Sequence, residues 1–374
     1  MNSATSLEPR IDTNNRITFL LDWELTMKCN LDCTYCKTGI YGGHDNTQRH
    51  PPLDQCISTI DFMFEYVDIY MSRKPKGIKY VILNVYGGEA LHHPDIVGIL
   101  SVLRDRYQVY QDRWHLTITT TTNAIITPRR LDLIIPYIDE FSVSYHTENT
   151  PEQKQQFCDN LLKIKAVGKR QKCIVLMHSE PTKFADAQEM IKWLMQNGIQ
   201  YLPRQLDHPP KLDFNYGQQQ IFWLENLYKK SLDQAVIKNN KADLAAIGRA
   251  CCGGRTLCAD QNHKEHQKFV ANKFPNWYCS VNHFFLHVKQ VNGEIYTNKD
   301  CKMNFDGAVA PIGNLLQSQL LLDQTRSWVE TDSMPVIQCK KYKCMCGLCA
   351  PKAQNFDTYK SIMRKYEISN PNLL

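Results

Sequence analysis

Between Ile17 and Leu206 the chain alternates strand-like and helix-like runs, and this alternation constrains its fold more than any other feature. Strand patterning, rich in Val, Ile, Thr, Leu and aromatics, falls on Ile17–Glu24, Tyr80–Tyr86, His115–Thr122, Glu140–Tyr145, Lys172–Met177 and Tyr201–Leu206. Between the first two, Asp54–Met71 puts Ile57, Ile60, Phe64 and Val67 on one helical stripe, and Asp95–Tyr110 is the next such run. Thr127-Pro128 and Thr150-Pro151-Glu152 supply a cap residue followed by proline, opening helices over Arg129–Tyr137 and up to Val167. Phe184–Gln196 follows, ended by Gly198. Parallel strands need crossover connections, so repeated strand–helix units predict an α/β fold with a parallel sheet. Six such units in about 190 residues predict a partial (β/α)6 barrel of the TIM type. Chemistry in such folds collects at the C-terminal ends of the strands.

After Leu206 the pattern changes. Asp207–Gly217 is Pro-rich and irregular, and a helix-like stretch runs from about Gln218 to Lys238. From Cys251 the chain becomes cysteine-rich, with His283–Val288 and Gly293–Thr297 as a hairpin around Val291-Asn292-Gly293. The expected organisation is a loose tail over 1–15, a barrel over 16–215, a helical linker over 216–250, a small cysteine-rich α+β domain over 251–350 and a helical tail over 351–374.

With 374 residues, 43% hydrophobic and 22% charged, the chain is compositionally globular, which excludes collagen, coiled coil and wholesale disorder. Its net charge of +6 is scattered rather than blocked, which argues against a nucleic-acid surface. No apolar run is long enough to span a membrane, and MNSATSLEPRIDTNN lacks the apolar stretch of a signal peptide. These features point to a cytoplasmic chain with reduced thiols. Its 15 cysteines therefore point to metal or cluster ligation, three of them lying within residues 29–36 and nine after residue 250. Cys56, Cys158 and Cys173 fall in helix or strand patterns and read as small core residues.

Directly after the first strand stands Cys29-Asn-Leu-Asp-Cys33-Thr-Tyr-Cys36. Three thiolates on a short loop can hold three irons of a cubane [4Fe–4S] cluster and leave the fourth open. A zinc knuckle, completed by His44 or His50, uses the same residues. The second strand ends Tyr86-Gly87-Gly88-Glu89: two glycines admit close backbone approach, and Glu89 can accept from an ammonium group. A tight strand-to-helix turn explains the same triplet. The third strand ends in Thr119–Asn123 and the fourth in Ser144-Tyr145-His146, again polar. His178 and Arg204 end the fifth and sixth. His146, His178 and Arg204 are thus candidate catalytic groups at the barrel mouth, with His208 a further proton carrier. Asp22 and Glu24 on the first strand are candidate bases.

In these motifs the chain resembles the radical S-adenosylmethionine enzymes. Cys29, Cys33, Tyr35 and Cys36 meet that family's C-x3-C-x-aromatic-C signature, and Gly87, Gly88 and Glu89 meet its GGE. The resemblance covers about residues 16–206. It implies a [4Fe–4S] cluster whose open iron binds S-adenosylmethionine, and reductive cleavage to methionine and a 5′-deoxyadenosyl radical that takes hydrogen from a substrate. It further implies that Gly87, Gly88 and Glu89 hold the amino group, and that Asn123 and Ser144 hold the carboxylate and ribose.

The later cysteines resemble the SPASM or shorter twitch extension of that family, which binds auxiliary [4Fe–4S] clusters. Cys279 and Cys301 match the pair flanking its hairpin, Cys258 the upstream ligand, and Cys339, Cys344, Cys346 and Cys349 its closing group. The match departs in spacing, with seven residues between Gly293 and Cys301. These seven cysteines suit one or two auxiliary clusters, with Asp300 or His283 as non-cysteine ligands, or a zinc ribbon. The resemblance implies a peptide or protein substrate and reduced flavodoxin or ferredoxin as electron donor. A small metabolite or nucleoside substrate is one alternative, and a non-catalytic iron–sulfur or zinc protein another.

Overall fold

The computed structural model describes residues 6–7, 16–36, 45–72, 78–206, 215–237, 276–297, 310–339 and 352–365. A short strand β1 (Ser6–Leu7) precedes β2 (Arg16–Thr26), α1 (Leu53–Ser72), β3 (Ile78–Gly87) and α2 (Ile96–Tyr107). Then come β4 (His115–Thr122), α3 (Pro128–Ile134), β5 (Glu140–Tyr145), α4 (Pro151–Ala166), β6 (Arg170–Met177), α5 (Pro181–Gln196), β7 (Gln200–Gln205) and α6 (Gln218–Ile237). The C-terminal part holds β8 (Tyr278–Cys279), β9 (Phe285–Lys289), β10 (Glu294–Tyr296), β11 (Gly313–Asn314), α7 (Ser318–Glu330), β12 (Ile337–Gln338), β13 (Lys352–Ala353) and α8 (Phe356–Lys365).

The expected strand–helix alternation is present, with boundaries moved by a few residues. Its punctuation works through hydrogen bonds. Thr127 caps α3, Thr150 and Gln153 form a reciprocal capping box on α4, and Glu180 caps α5, each with proline next in the chain. The run expected to be one helix to Tyr137 instead tightens after Ile134 into a 3-10 turn over Ile135–Tyr137, where Pro136 lacks an N–H for a longer ladder.

The strands β2 to β7 run parallel in sequence order within a nine-stranded mixed sheet, β11-β10-β9-β2-β3-β4-β5-β6-β7. Alternation along each strand gives two unlike faces. Phe19, Leu21, Trp23, Val81, Leu83, Val85, Ile118, Phe141, Val143 and Val175 are fully buried in the core they share with residues of the flanking helices. The other face carries a polar stretch across its middle strands. Asn84 donates to Asp22 at 3.1 Å, and Thr121 donates to Asn84 at 3.2 Å, so side chains of three adjacent strands form one chain of hydrogen bonds.

The Asn-Gly hairpin forms as expected, with Gly293 at φ +72°, a left-handed value that favours glycine. Its first strand, β9, does more than pair with β10. It adds parallel to β2, in register from Leu20↔Phe285 to Glu24↔Lys289, and so extends the main sheet. The start expected at His283 is a 3-10 turn over Val281–His283, whose buried C=O at His283 accepts from the Tyr70 hydroxyl at 2.6 Å. A second sheet, β1-β13-β8-β12, pairs the N-terminal strand β1 antiparallel with β13 beside two further strands of the C-terminal part. No helix among the described residues is long and apolar enough to cross a membrane.

Candidate functional site

At the C-terminal end of β2 the pairing with β3 shifts register between Glu24 and Thr26, and the chain leaves the sheet into the cysteine loop. Cys33 is buried, while Cys29 and Cys36 are half-buried. The Cys36 N–H donates to the Cys33 carbonyl at 3.0 Å, curling the loop into a turn. Asn46 accepts the Cys29 N–H at 2.9 Å, and the Cys29 sulfur accepts from the Leu31 N–H at 3.4 Å. Burial pushes the thiols of Cys29 and Cys33 up to about 12 and that of Cys36 up to about 11. Cys33 is also raised by the charges of Cys36 and Cys29. The loop therefore gathers thiols whose ionised forms are costly until a cationic centre compensates them.

Among the described residues, no three His, Cys, Asp or Glu side chains converge to hold a metal ion. A single ion bonded to thiolates at about 2.3 Å draws their sulfurs within about 4.6 Å of one another. A cubane spreads its cysteine ligands over separate irons. Three buried thiols on one loop, costly to ionise without a cationic centre, are a donor set that fits a cluster. Of the residues considered for zinc, His44 lies outside the described residues. His50 bonds Thr26 through Nδ1 at 3.0 Å, and burial lowers its imidazole to about 4. A cleft of about 250 Å³ lined by Lys28, Cys29, Asn30, Asn46, His50 and His92 opens beside Cys29.

The glycines of the GGE triplet have a structural duty, in keeping with the tight turn that the triplet allows. The backbone packed against them is the chain's own cysteine loop. A Cβ on Gly87 would lie 2.0 Å from the Thr26 carbonyl oxygen, and one on Gly88 would lie 2.3 Å from that of Lys28. The close approach lets Gly88 N–H donate to Thr26 O and Glu89 N–H donate to Lys28 O, both at 2.7 Å. The turn after β3 is thereby sewn to the loop that carries the cysteines.

Glu89 is 1% exposed. Its carboxyl accepts from the Leu91 N–H at 3.1 Å, the Thr122 hydroxyl at 2.8 Å and the Asn123 N–H at 2.6 Å. An ionised carboxylate offers about four acceptor positions, so capacity for one more donor remains. Burial pushes the Glu89 carboxyl up to about 7, against the opposing pull of those hydrogen bonds. A folded-state value above the unfolded one means that the native state holds the proton more tightly. Its stabilising contribution is full below about 4.5 and is lost as pH rises through about 7. Glu89→Gln is expected to remove this component, on the order of 3 kcal/mol at most. Urea unfolding of the metal-free protein at pH 5 and pH 8 checks it: the wild type should lose more stability between the two than the variant.

Asn123 joins both halves. Its Nδ2 donates to Asn30 Oδ1 at 2.8 Å and approaches the Cys29 sulfur at 3.8 Å, while its backbone N–H serves Glu89. Thr122 and Asn123 each accept a backbone N–H two residues on, and Ala124, directly after them, takes φ +55°. Buried Asn160 on α4 fixes this turn by donating to the carbonyls of Ala124 and Ile126, both at 2.8 Å.

The structure places the remaining sequence candidates unevenly. His146, just after β5, sets Nδ1 3.3 Å from the Cys33 sulfur and 2.7 Å from the Tyr35 hydroxyl. Burial lowers its imidazole to about 4 and raises the Tyr35 phenol well above its usual value. His178, just after β6, has its ring 6.4 Å from Tyr35 and accepts the Glu180 N–H on Nδ1 at 3.0 Å. Ser144 is half-buried opposite Ile174, and Arg204 lies in β7 opposite Leu176. Cys279, in β8, and Cys339, directly after β12, are both buried: Cys279 pairs with Ile337, and the Cys339 N–H donates to the Trp277 carbonyl at 2.8 Å. Cys258, Cys301, Cys344, Cys346 and Cys349 lie outside the described residues, as do Asp300 and His208.

Some partners gave no signal in the sequence. Glu148 accepts from the Thr34 N–H at 2.7 Å and from the Thr34 hydroxyl and Lys183 at 2.6 Å. Burial raises its carboxyl, but the bonds from Lys183 and Thr34 outweigh that and hold it below its usual value. Asn30, Asn46 and Glu148 stand in no periodic pattern; only the folded chain brings them to the cysteines.

No protein-family model and no curated protein matches the sequence. Solved structures do match. The chain is similar to native anSMEcpe with bound AdoMet and the Cp18Cys peptide and to a histidine-tagged form of anSMEcpe with bound AdoMet. Each is 11% identical with TM-score 0.52, and each match covers 96% of this chain and 98% of the other. It is similar also to anSMEcpe with AdoMet and the Kp18Cys peptide, at 12% identity, TM-score 0.50 and the same coverage. The chain therefore shares the fold of these proteins nearly end to end, an α/β fold with a mixed sheet, flanking helices and a separate C-terminal region, as the strand–helix alternation leads one to expect.

Proposed function

We propose that this chain is a radical S-adenosylmethionine enzyme acting on a peptide or protein. The observation that carries the reading is the backbone seam between the cysteine loop and the GGE turn, at Gly88–Thr26 and Glu89–Lys28, with Asn123 bridging both. It sets a three-thiol loop beside a buried carboxylate at adjoining strand ends, where a cluster ligand and an ammonium group are needed together. Cys29, Cys33 and Cys36 would hold the cluster. Bound there, it would supply one electron to the sulfonium of S-adenosylmethionine, which then yields methionine and a 5′-deoxyadenosyl radical that abstracts hydrogen.

The protein's own tasks are binding, orientation and exclusion of water. Glu89 accepts the amino group, Asn123 and Ser144 lie on the strand ends suited to the carboxylate and ribose, and Tyr35 walls the loop. We place β2 to β7 in a partial barrel, with the cysteine-rich 251–350 as the auxiliary-cluster region. Cys279, in β8, and Cys339, directly after the neighbouring β12, would be among its ligands, with Cys258, Cys301, Cys344, Cys346 and Cys349, for one or two clusters. His178 and Arg204 are proposed to contact substrate at the barrel mouth. A cytoplasmic location and a flavodoxin or ferredoxin donor accord with this chemistry.

The peptide assignment draws support from the shared fold with a protein solved with bound AdoMet and peptide. Its test is substrate-stimulated 5′-deoxyadenosine formation by anaerobically reconstituted protein. Stimulation by a peptide pool is expected; stimulation by nucleosides or small metabolites alone would overturn the peptide assignment.

A further inference from the structure

We propose that His146 is a positioning residue for the cysteine-loop cluster: its Nδ1–H, with the Tyr35 hydroxyl, donates to the Cys33 thiolate and raises the cluster's reduction potential. The inference rests on the cluster reading above and concerns what the chain does to that cluster.

The geometry is specific. His146 Nδ1 lies 3.3 Å from Cys33 Sγ and 2.7 Å from the Tyr35 hydroxyl oxygen. The imidazole lies parallel to the Tyr35 ring, with centroids 6.0 Å apart and planes 4° from parallel. Two further bonds lock the spacing. Glu148, two residues beyond His146, accepts both the N–H and the hydroxyl of Thr34, which directly follows Cys33. Lys183 on α5 then holds Glu148 at 2.6 Å. The segment carrying His146 and the loop carrying Cys33 are therefore cross-tied independently of the histidine contact.

Iron ligation changes what this contact can be. A cysteine bound to iron carries no proton, so its sulfur only accepts. A tautomer with the proton on Nε2 would turn an imidazole lone pair toward that thiolate. The tautomer with the proton on Nδ1 gives a charge-assisted hydrogen bond instead, and the thiolate selects it. The phenol oxygen, 2.7 Å from Nδ1, accepts a share of that N–H and turns its own O–H to the same sulfur. Donors on a ligand sulfur draw electron density from the cluster and favour its reduced, more negative state. Cys29 also has donors, the Leu31 N–H and Asn123 Nδ2. The His146 contact differs in coming from a side chain whose loss need not unfold a turn.

The test is a potentiometric titration of the reconstituted holoprotein, following the reduced-cluster paramagnetic signal that S-adenosylmethionine perturbs. Iron and sulfide are counted alongside. His146→Phe keeps a flat ring beside Tyr35 but has no donor, and its midpoint potential is expected to fall. His146→Asn presents an amide N–H near the place of Nδ1 and is expected to return the potential to that of the wild type. An unchanged potential in His146→Phe with full iron overturns the proposal, as does an Asn variant shifted as far as the Phe variant. If His146→Phe cannot hold iron, His146→Asn decides. Wild-type potential there supports the proposal; loss of iron in both overturns it, because the imidazole would then build the site rather than tune it. A wild-type protein that assembles no cluster would instead sink the underlying cluster reading.

Discussion

Gly88→Ala is expected to destabilise the fold by about 3 kcal/mol or more and to prevent the cysteine loop from retaining iron. The added methyl would stand 2.3 Å from the Lys28 carbonyl oxygen and 2.6 Å from that of Met27. Both obstacles are backbone, so no side-chain rotation relieves the clash. The loop between Thr26 and Cys29 must move, and with it goes the 2.7 Å bond from Glu89 N–H to Lys28 O. Gly98→Ala is the control. Its Cβ would meet only Leu53 methyls at 3.8 and 3.9 Å, within α2, so stability there should be unchanged or rise by up to about 1 kcal/mol. Denaturant unfolding and iron counts on both variants check the pair. Equal behaviour would contradict the seam between the GGE turn and the cysteine loop.

The second large effect belongs to Cys33→Ala. Cys33 is the middle thiol and is buried against His146, yet removing one sulfur leaves little void, so the fold should survive. Cleavage of S-adenosylmethionine should fall to background, with about four irons lost per chain and the remaining iron retained in the C-terminal region. Iron and sulfide analysis with product assay reads both parts. Loss of all iron in this variant would contradict separate sites.

The strand order was legible because its signals are local. Thr127-Pro128 and Thr150-Pro151 announce helix starts, and the alternation in His115–Thr122 announces a half-buried strand. The cysteine spacing and GGE named the strand ends that carry the site. What sequence did not disclose depends on contacts between distant residues. Nothing in Phe285–Lys289 says that it pairs with Leu20–Glu24, since the hydrogen bonds are backbone groups that every residue has. The packing duty of Gly87 and Gly88 was hidden for the same reason: a glycine shows that something approaches closely, not whether it is a ligand or the chain itself. Glu148 and Lys183 were invisible because a charged pair across a loop has no period. His146 was read as a proton carrier, and the structure sets it against a cysteine sulfur.

Radical chemistry at the cysteine loop is tested most directly by one measurement: 5′-deoxyadenosine released when anaerobically reconstituted, reduced protein is given S-adenosylmethionine, with Cys33→Ala alongside. The expected result is product from the wild type and background from the variant. No product from an iron-loaded wild type, with or without a peptide pool, would contradict the assignment of Cys29, Cys33, Cys36 and Glu89 to reductive cleavage of S-adenosylmethionine.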